Sequence, residues 1–203
     1  MRLLIVGDSS AAGVGVDTQG TALAGRLVDI LARRADVDWK LVARSGATSG
    51  DIMRRVAAMS PRPVDIVVAA FGVNDVKNGV PARRWVQNVT EFVRLTQTRF
   101  GTPRVYLSGL PPLGAFPLLP QPLRAVLGGR SIRFDHLLDR IAASHDRVRH
   151  VPLDLSLDVS AMAPDGFHPG PTIYAAWAQL LTEAILADRD ADTARAAPVQ
   201  ARP

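Results

Sequence analysis

Five residues have side chains or backbone positions suited to chemistry. Ser9 lies in "GDSSAAG", Gly46 in "ARSGATSGD" and Asn74 in "FGVND", while Asp165 and His168 share "PDGFHPGP". Together they are the parts that acyl transfer requires. A serine hydroxyl is a poor nucleophile until a base takes its proton, and imidazole has the intrinsic pKa to do so near neutrality. The base needs a carboxylate to fix its tautomer and to stabilise the imidazolium. Asp165, three residues before His168, is the nearest candidate; Asp154 and Asp158 are rivals further upstream. A tetrahedral intermediate needs donors already aimed at its oxyanion, and Ser9 N–H, Gly46 N–H and the Asn74 amide could supply three. Each residue also has a plainer reading. Ser9 could cap a helix, Gly46 could serve a left-handed turn, and Asn74 could cap a local turn. Asp8 reads as pinning the first loop and Asp75 as bracing the third.

These residues are far apart in the chain, so the elements between them must bring them together. Short apolar runs at Arg2–Val6, Trp39–Ala43, Asp65–Phe71, Arg104–Ser108 and Val148–Leu153 predict strands. Three of them are nearly continuous in Val, Ile or Leu, as parallel strands covered on both faces should be. Between them, stripes of apolar residues predict helices over Thr18–Ala35, Pro81–Phe100, Ser131–Ser144 and Pro171 to about Ala187. Alternating βα units give an α/β fold: a parallel five-stranded sheet between two helical layers. In such sheets ligands bind beyond the carboxyl ends of the strands, where the loops carrying Ser9, Gly46 and Asn74 fall.

Bulk properties narrow the class. With 203 residues the chain suits one domain, expected over residues 1–187. "DRDADTARAAPVQARP" (188–203) lacks large apolar residues in any period and is expected to be a disordered tail. The absence of cysteine rules out a disulfide framework, a thiolate metal site and a cysteine nucleophile. His136, His145 and His150 show no partner spacing, so no metal site is expected. The net charge of +5 is scattered over helical pairs such as Arg33-Arg34 and Arg83-Arg84, with no basic run interleaved with aromatics. That pattern suits solvated helix faces and no nucleic-acid partner. "MRLLIVGD" has no long apolar stretch before Gly7, and no run is long enough to anchor in a membrane, so a cytoplasmic location is expected. Nothing in the pattern signals an oligomeric state. "GLPPLGAFPLLPQPLRAVLGG" (Gly109–Gly129) is long, apolar and rich in proline. Its Leu113 and Phe116 could line a substrate pocket or form satellite core. Arg44 and Thr48, flanking Gly46, are further pocket candidates.

The motifs resemble those of the SGNH/GDSL hydrolases. "GDSS" looks like that family's first block, Gly46 matches the second, "GVND" the third through Asn74, and "DGFHP" the last through Asp165 and His168. One departure is Ser10, where the family's name motif has leucine. The resemblance implies a flavodoxin-like three-layer fold and hydrolysis of carboxylic esters without metal or organic cofactor. The motifs do not separate simple esters from lysophospholipids, thioesters or acetylated carbohydrates, and a small acyl group is expected because no lipid-anchoring segment is evident. It also implies a Ser9–His168–Asp165 triad and an oxyanion hole from Ser9, Gly46 and Asn74. Two other classes compete: a flavodoxin-type phosphate- or nucleotide-binding module using Gly7, Gly13 and Gly15, and a catalytically silent binding relative. The chain has neither G-x-x-x-x-G-K-[ST] nor a proper G-x-G-x-x-G, and no G-x-S-x-G elbow.

Overall fold

The computed structural model describes residues 1–116, 118–153 and 159–196. The rival acids Asp154 and Asp158 lie outside the described residues. The strands are β1 (Arg2–Gly7), β2 (Asp38–Ala43), β3 (Ile66–Ala70), β4 (Arg104–Ser108) and β5 (Val148–Val151). They form one parallel sheet in the order β2-β1-β3-β4-β5. The chain leaves β1 in one direction to make β2, then returns across it to make β3. This reversal opens a crevice at the carboxyl ends of β1 and β3, the place where doubly wound sheets bind ligands.

The helices are α1 (Ser9–Ala12), α2 (Leu23–Ala32), α3 (Ser49–Ala58), α4 (Val73–Lys77), α5 (Ala82–Arg99), α6 (Leu123–Ala143) and α7 (Pro171–Ala196). Strand alternation sorts them into two layers. Leu4, Val6, Val67, Ala69, Val105 and Leu107 point to one face, where α3, α5 and α6 add Ile52, Val89, Phe92 and Phe134. Leu3, Ile5, Ile66, Val68 and Tyr106 point to the other, covered by Leu23, Leu27 and Leu31 of α2 and by Trp177, Leu181 and Ile185 of α7. Successive side chains on a strand face opposite ways, so one apolar run feeds two cores. Each fully buried Leu, Ile or Phe among them contributes about 1.5–3 kcal/mol relative to exposure. Aromatic contacts reinforce the first core: the Trp85 and Phe134 rings stack at 5.0 Å, and Phe71 meets Phe92 edge-on at 5.3 Å. Among the described residues no helix is long and apolar enough to cross a membrane.

Three elements depart from expectation. The last helix does not stop near Ala187 but runs to Ala196, so residues 188–196 are helical, not a tail. Long-range ion pairs hold this extension. Asp188 meets Arg149 at 3.0 Å, Arg104 at 3.6 Å and the Tyr106 hydroxyl at 3.1 Å, and Asp192 pairs with Arg104. The Gly109–Gly129 segment is only partly loop, because α6 begins at Leu123. Gly128 sits within that helix for close approach: a Cβ there would meet the Gly114 Cα at 2.7 Å. Finally, α3, not among the helices that apolar stripes predict from the sequence, buries Ile52 and Val56 four residues apart and has a full capping box. The Thr48 and Asp51 side chains each satisfy the other's backbone N–H.

Candidate active site

The first half of the site is built by the end of β1. Asp8 donates its N–H to the Ala70 carbonyl (3.1 Å), locking the turn onto β3, and its carboxylate accepts the Ser10 N–H (3.0 Å) as N-cap of α1. Ser9 is therefore the first residue of a helix that opens at the sheet crevice.

The second half is a hairpin before α7. Ala163 N–H bonds to His168 O (2.9 Å) and Gly170 N–H to Ala161 O (3.0 Å). Asp165 Oδ1 accepts the N–H groups of Phe167 (3.0 Å) and His168 (2.9 Å), which shapes the turn. The two halves fit because Gly15, at φ +104°, has no side chain. A Cβ on it would stand 2.4 Å from the Pro169 carbonyl and 3.2 Å from His168 Cβ. The Tyr174 hydroxyl on α7 adds a bond to Val14 O at 2.7 Å.

Across this seam, His168 Nε2 lies 3.0 Å from Ser9 Oγ, and His168 Nδ1 lies 2.5 Å from Asp165 Oδ2. Burial alone would raise the Asp165 carboxyl, but the His168 ring and the two N–H groups outweigh it and hold the pKa down at about 2. Ionised Asp165 can only accept, so Nδ1 carries the ring hydrogen and Nε2 is left to accept from the Ser9 hydroxyl.

Ser9, Gly46, Asn74 and His168 line one cavity of about 300 Å³. Among the described residues neither Ser9 N–H nor Gly46 N–H has an acceptor, and Gly46 holds φ +77° with open space where a Cβ would be. The Asn74 amide donates to Ala47 O at 3.1 Å and makes a long 3.5 Å contact to Asp8 Oδ2. Asp75, next to it, accepts both the N–H (2.8 Å) and the hydroxyl (2.6 Å) of buried Ser49, which fastens α4 to α3. The arrangement can abstract a hydroxyl proton and offers N–H groups to a developing negative charge.

The sequence model of the GDSL-like lipase/acylhydrolase family matches residues 5–176, which include both halves of this site. The chain belongs to that family. A GDSL-like esterase of Mycobacterium tuberculosis is 31% identical over 211 residues, covering 95% of this chain. The chain spans 63% of that relative's length. Among solved structures, the psychrotrophic esterase EstA of Pseudoalteromonas sp. superposes with a TM-score of 0.71 at 21% identity, covering 93% of this chain and 98% of its own. The aryl esterase of M. smegmatis gives 0.69 at 17% identity, covering 92% and 98% respectively. At these identities the two structures show a shared fold: the three-layer α/β architecture with its parallel five-stranded sheet.

Not every residue singled out from the sequence of this GDSL-like chain reaches the cavity. Phe116 lines it, but Arg44, Thr48 and Leu113 do not. The Arg44 side chain is exposed, while its backbone bonds to Gly7 O and Ala47 N–H. Thr48 is used as the cap of α3, and Leu113 is wholly buried in the core beneath α6. The N–H groups of Gly13, Val14 and Val16 turn back onto carbonyls of their own loop, so they are not free to cradle a phosphate. His150 does find a partner, contrary to its spacing: Asp135, 2.9 Å away, which also accepts the Leu110 N–H at 2.9 Å. Lys77, Phe167, Ile173 and Trp177 join the cavity wall without having been assigned there from sequence. For Lys77 a signal existed, since it follows Asn74 by three positions, one helical turn.

Asp8 carries a pH signature of the folded chain. It is 2% exposed. Burial pushes its carboxyl up to about 7, against the Ser10 and Gly72 N–H groups that favour the charge. A folded pKa above the unfolded value of about 3.9 means stability is fully present below pH ~4 and is lost as pH rises through ~7. Asp8→Asn keeps an acceptor for Ser10 N–H but cannot ionise. Urea melts at pH 5 and pH 8 should show the variant gaining about 2 kcal/mol on the parent over that interval; parallel pH profiles would contradict the assignment.

Proposed function

We propose that this chain hydrolyses carboxylic esters of small acyl groups through a covalent acyl-enzyme on Ser9. The observation that carries the reading is the continuous Ser9–His168–Asp165 hydrogen-bond chain, 3.0 and 2.5 Å long, opening into the cavity. Membership of the family and the esterase names of its relatives support the same reaction class. As Ser9 Oγ attacks the ester carbonyl, its proton moves to His168 Nε2. The tetrahedral oxyanion is held by Ser9 N–H, Gly46 N–H and one hydrogen of the Asn74 amide, released from its long contact to Asp8. Collapse of the intermediate breaks the carbonyl–alkoxide bond, and His168 returns its proton to the leaving alkoxide. Water then gives a proton to Nε2 and attacks the acyl-serine; collapse breaks the Ser9 Oγ–acyl bond, frees the acid and returns the Nε2 proton to Ser9 Oγ. The cavity, about 300 Å³, is at the small end of ligand pockets, which suits a short acyl chain.

Turnover of 4-nitrophenyl esters from acetyl to decanoyl, with the Asn74→Ala variant beside the parent, tests the reading. Acetyl to butyryl esters should be hydrolysed best. Asn74→Ala should lower kcat about 10²–10³-fold with a much smaller change in KM, because the amide meets full negative charge only in the transition state. A variant that raises KM and leaves kcat intact would make Asn74 a ground-state binding residue.

A further inference from the structure

The cavity wall holds one charge that the proposed chemistry does not use. Of the ionisable side chains lining it, Asp8 is buried in capping α1 and His168 is tied to Asp165. The third is Lys77. It has no carboxylate partner within ion-pair distance among the described residues. The side chain is exposed, and its ammonium is placed: Nζ lies 4.7 Å from the centroid of the Phe167 ring. A cation over an aromatic face is held electrostatically while its remaining N–H groups stay available.

The position of that ring gives the cation a side. Phe167 packs edge-on against the His168 ring with centroids 5.4 Å apart, and edge-on against Phe116 at 5.5 Å. In ester cleavage the leaving alkoxide must face His168 Nε2, which protonates it. The alcohol portion of the substrate therefore extends past His168, toward Phe167 and the ammonium above it. Lys77 also shares α4 with Asn74, one turn on, so the cation and the oxyanion donor ride on one short rigid helix.

We propose that Lys77 selects esters whose alcohol portion carries an anionic group, a carboxylate or a phosphate. This rests on the ester-hydrolase reading and deepens it. An ammonium with no carboxylate in ion-pair distance among the described residues, and coupled only at longer range to the buried Asp8 carboxyl, sits at the mouth of a mostly apolar cavity. There it attracts such a group and orients the alkoxide toward His168. A neutral ester gains neither effect.

The experiment compares two near-isosteric acetyl esters, 4-acetoxybenzoate and neutral 4-acetoxybenzamide, in the parent and in Lys77→Met, Lys77→Arg and Lys77→Glu. The quantity read is the ratio of kcat/KM, anionic over neutral. It should exceed one in the parent, fall about tenfold in Lys77→Met, survive in Lys77→Arg and invert in Lys77→Glu. Added salt should erode the parent's ratio and leave that of Lys77→Met unchanged. Running 4-acetoxyphenyl phosphate in parallel distinguishes a phosphate from a carboxylate as the preferred anion. 4-Nitrophenyl hemiglutarate against 4-nitrophenyl butyrate places the charge on the acyl side instead, where the variants should not alter the ratio. A ratio unchanged in Lys77→Met, or an equal fall with the acyl-side anion, would overturn the proposal while ester hydrolysis stands. Failure of the parent to cleave any of these esters would remove the ester-hydrolase reading, and this proposal with it.

Discussion

Ser9→Ala should reduce kcat for 4-nitrophenyl acetate by about 10⁶-fold, to the level left by binding and oxyanion donors alone. The loss is that large because no neighbouring group can substitute. Ser10 is adjacent, but its N–H is fixed on the Asp8 carboxylate, and it is Ser9 Oγ, not Ser10 Oγ, that meets His168 Nε2. The fold should not notice the change: that bond to His168 is the Ser9 side chain's hydrogen bond, and alanine is a good helix former at this position. Steady-state kinetics with far-UV circular dichroism checks both halves. Retained turnover in a folded variant would reject Ser9 as nucleophile.

Asp165→Asn should cost about 10⁴-fold in kcat with little change in KM. Asparagine can keep Oδ1 on the Phe167 and His168 N–H groups, so the turn survives. Its NH₂ would then face His168 Nδ1, where the carboxylate Oδ2 now accepts. The ring must answer by accepting at Nδ1, which places its hydrogen on Nε2. In that tautomer Nε2 cannot take the Ser9 proton. The comparison variant Asp165→Ala loses the turn bonds as well and should also lower the melting temperature. A small kinetic effect in Asp165→Asn would point to another acid, and Asp154 and Asp158 are the rivals in sequence.

Much of this site is readable in the chain because its residues act through short motifs at strand ends. β1 and β3 read as uninterrupted apolar runs since both faces are covered, and that reading alone puts Ser9 and Asn74 at one rim. Asp165 and His168 are three residues apart, so their pairing is a local turn that sequence can suggest. What local pattern hides is distance. The continuation of α7 depends on Asp188 and Asp192 reaching arginines on β4 and β5, contacts with no trace in the periodicity of the helix itself. The early start of α6 was masked by Gly128 and Gly129, which read as a loop until Gly114 is seen packed against the first of them. Helix α3 is short, with Ile52 and Val56 as its buried large apolar residues, and the spacing of Thr48 and Asp51 was a usable sign of its start. The pocket wall was least legible. Arg44 and Thr48 are neighbours of Gly46 in sequence, but a turn faces its residues in different directions, and theirs is away from the cavity. Lys77 and Trp177 arrive from a helix after β3 and from the last helix, a convergence only the folded sheet creates.

The most direct test of the covalent route is to label the protein with a 4-nitrophenyl alkylphosphonate and locate the adduct by fragmenting the Gly7–Gly13 peptide in a mass spectrometer. Stoichiometric release of nitrophenol, with one phosphonyl group on Ser9 and none in His168→Ala, is the predicted result. A phosphonyl group on Ser10 or elsewhere, or full ester turnover in protein that takes up no label, would contradict it.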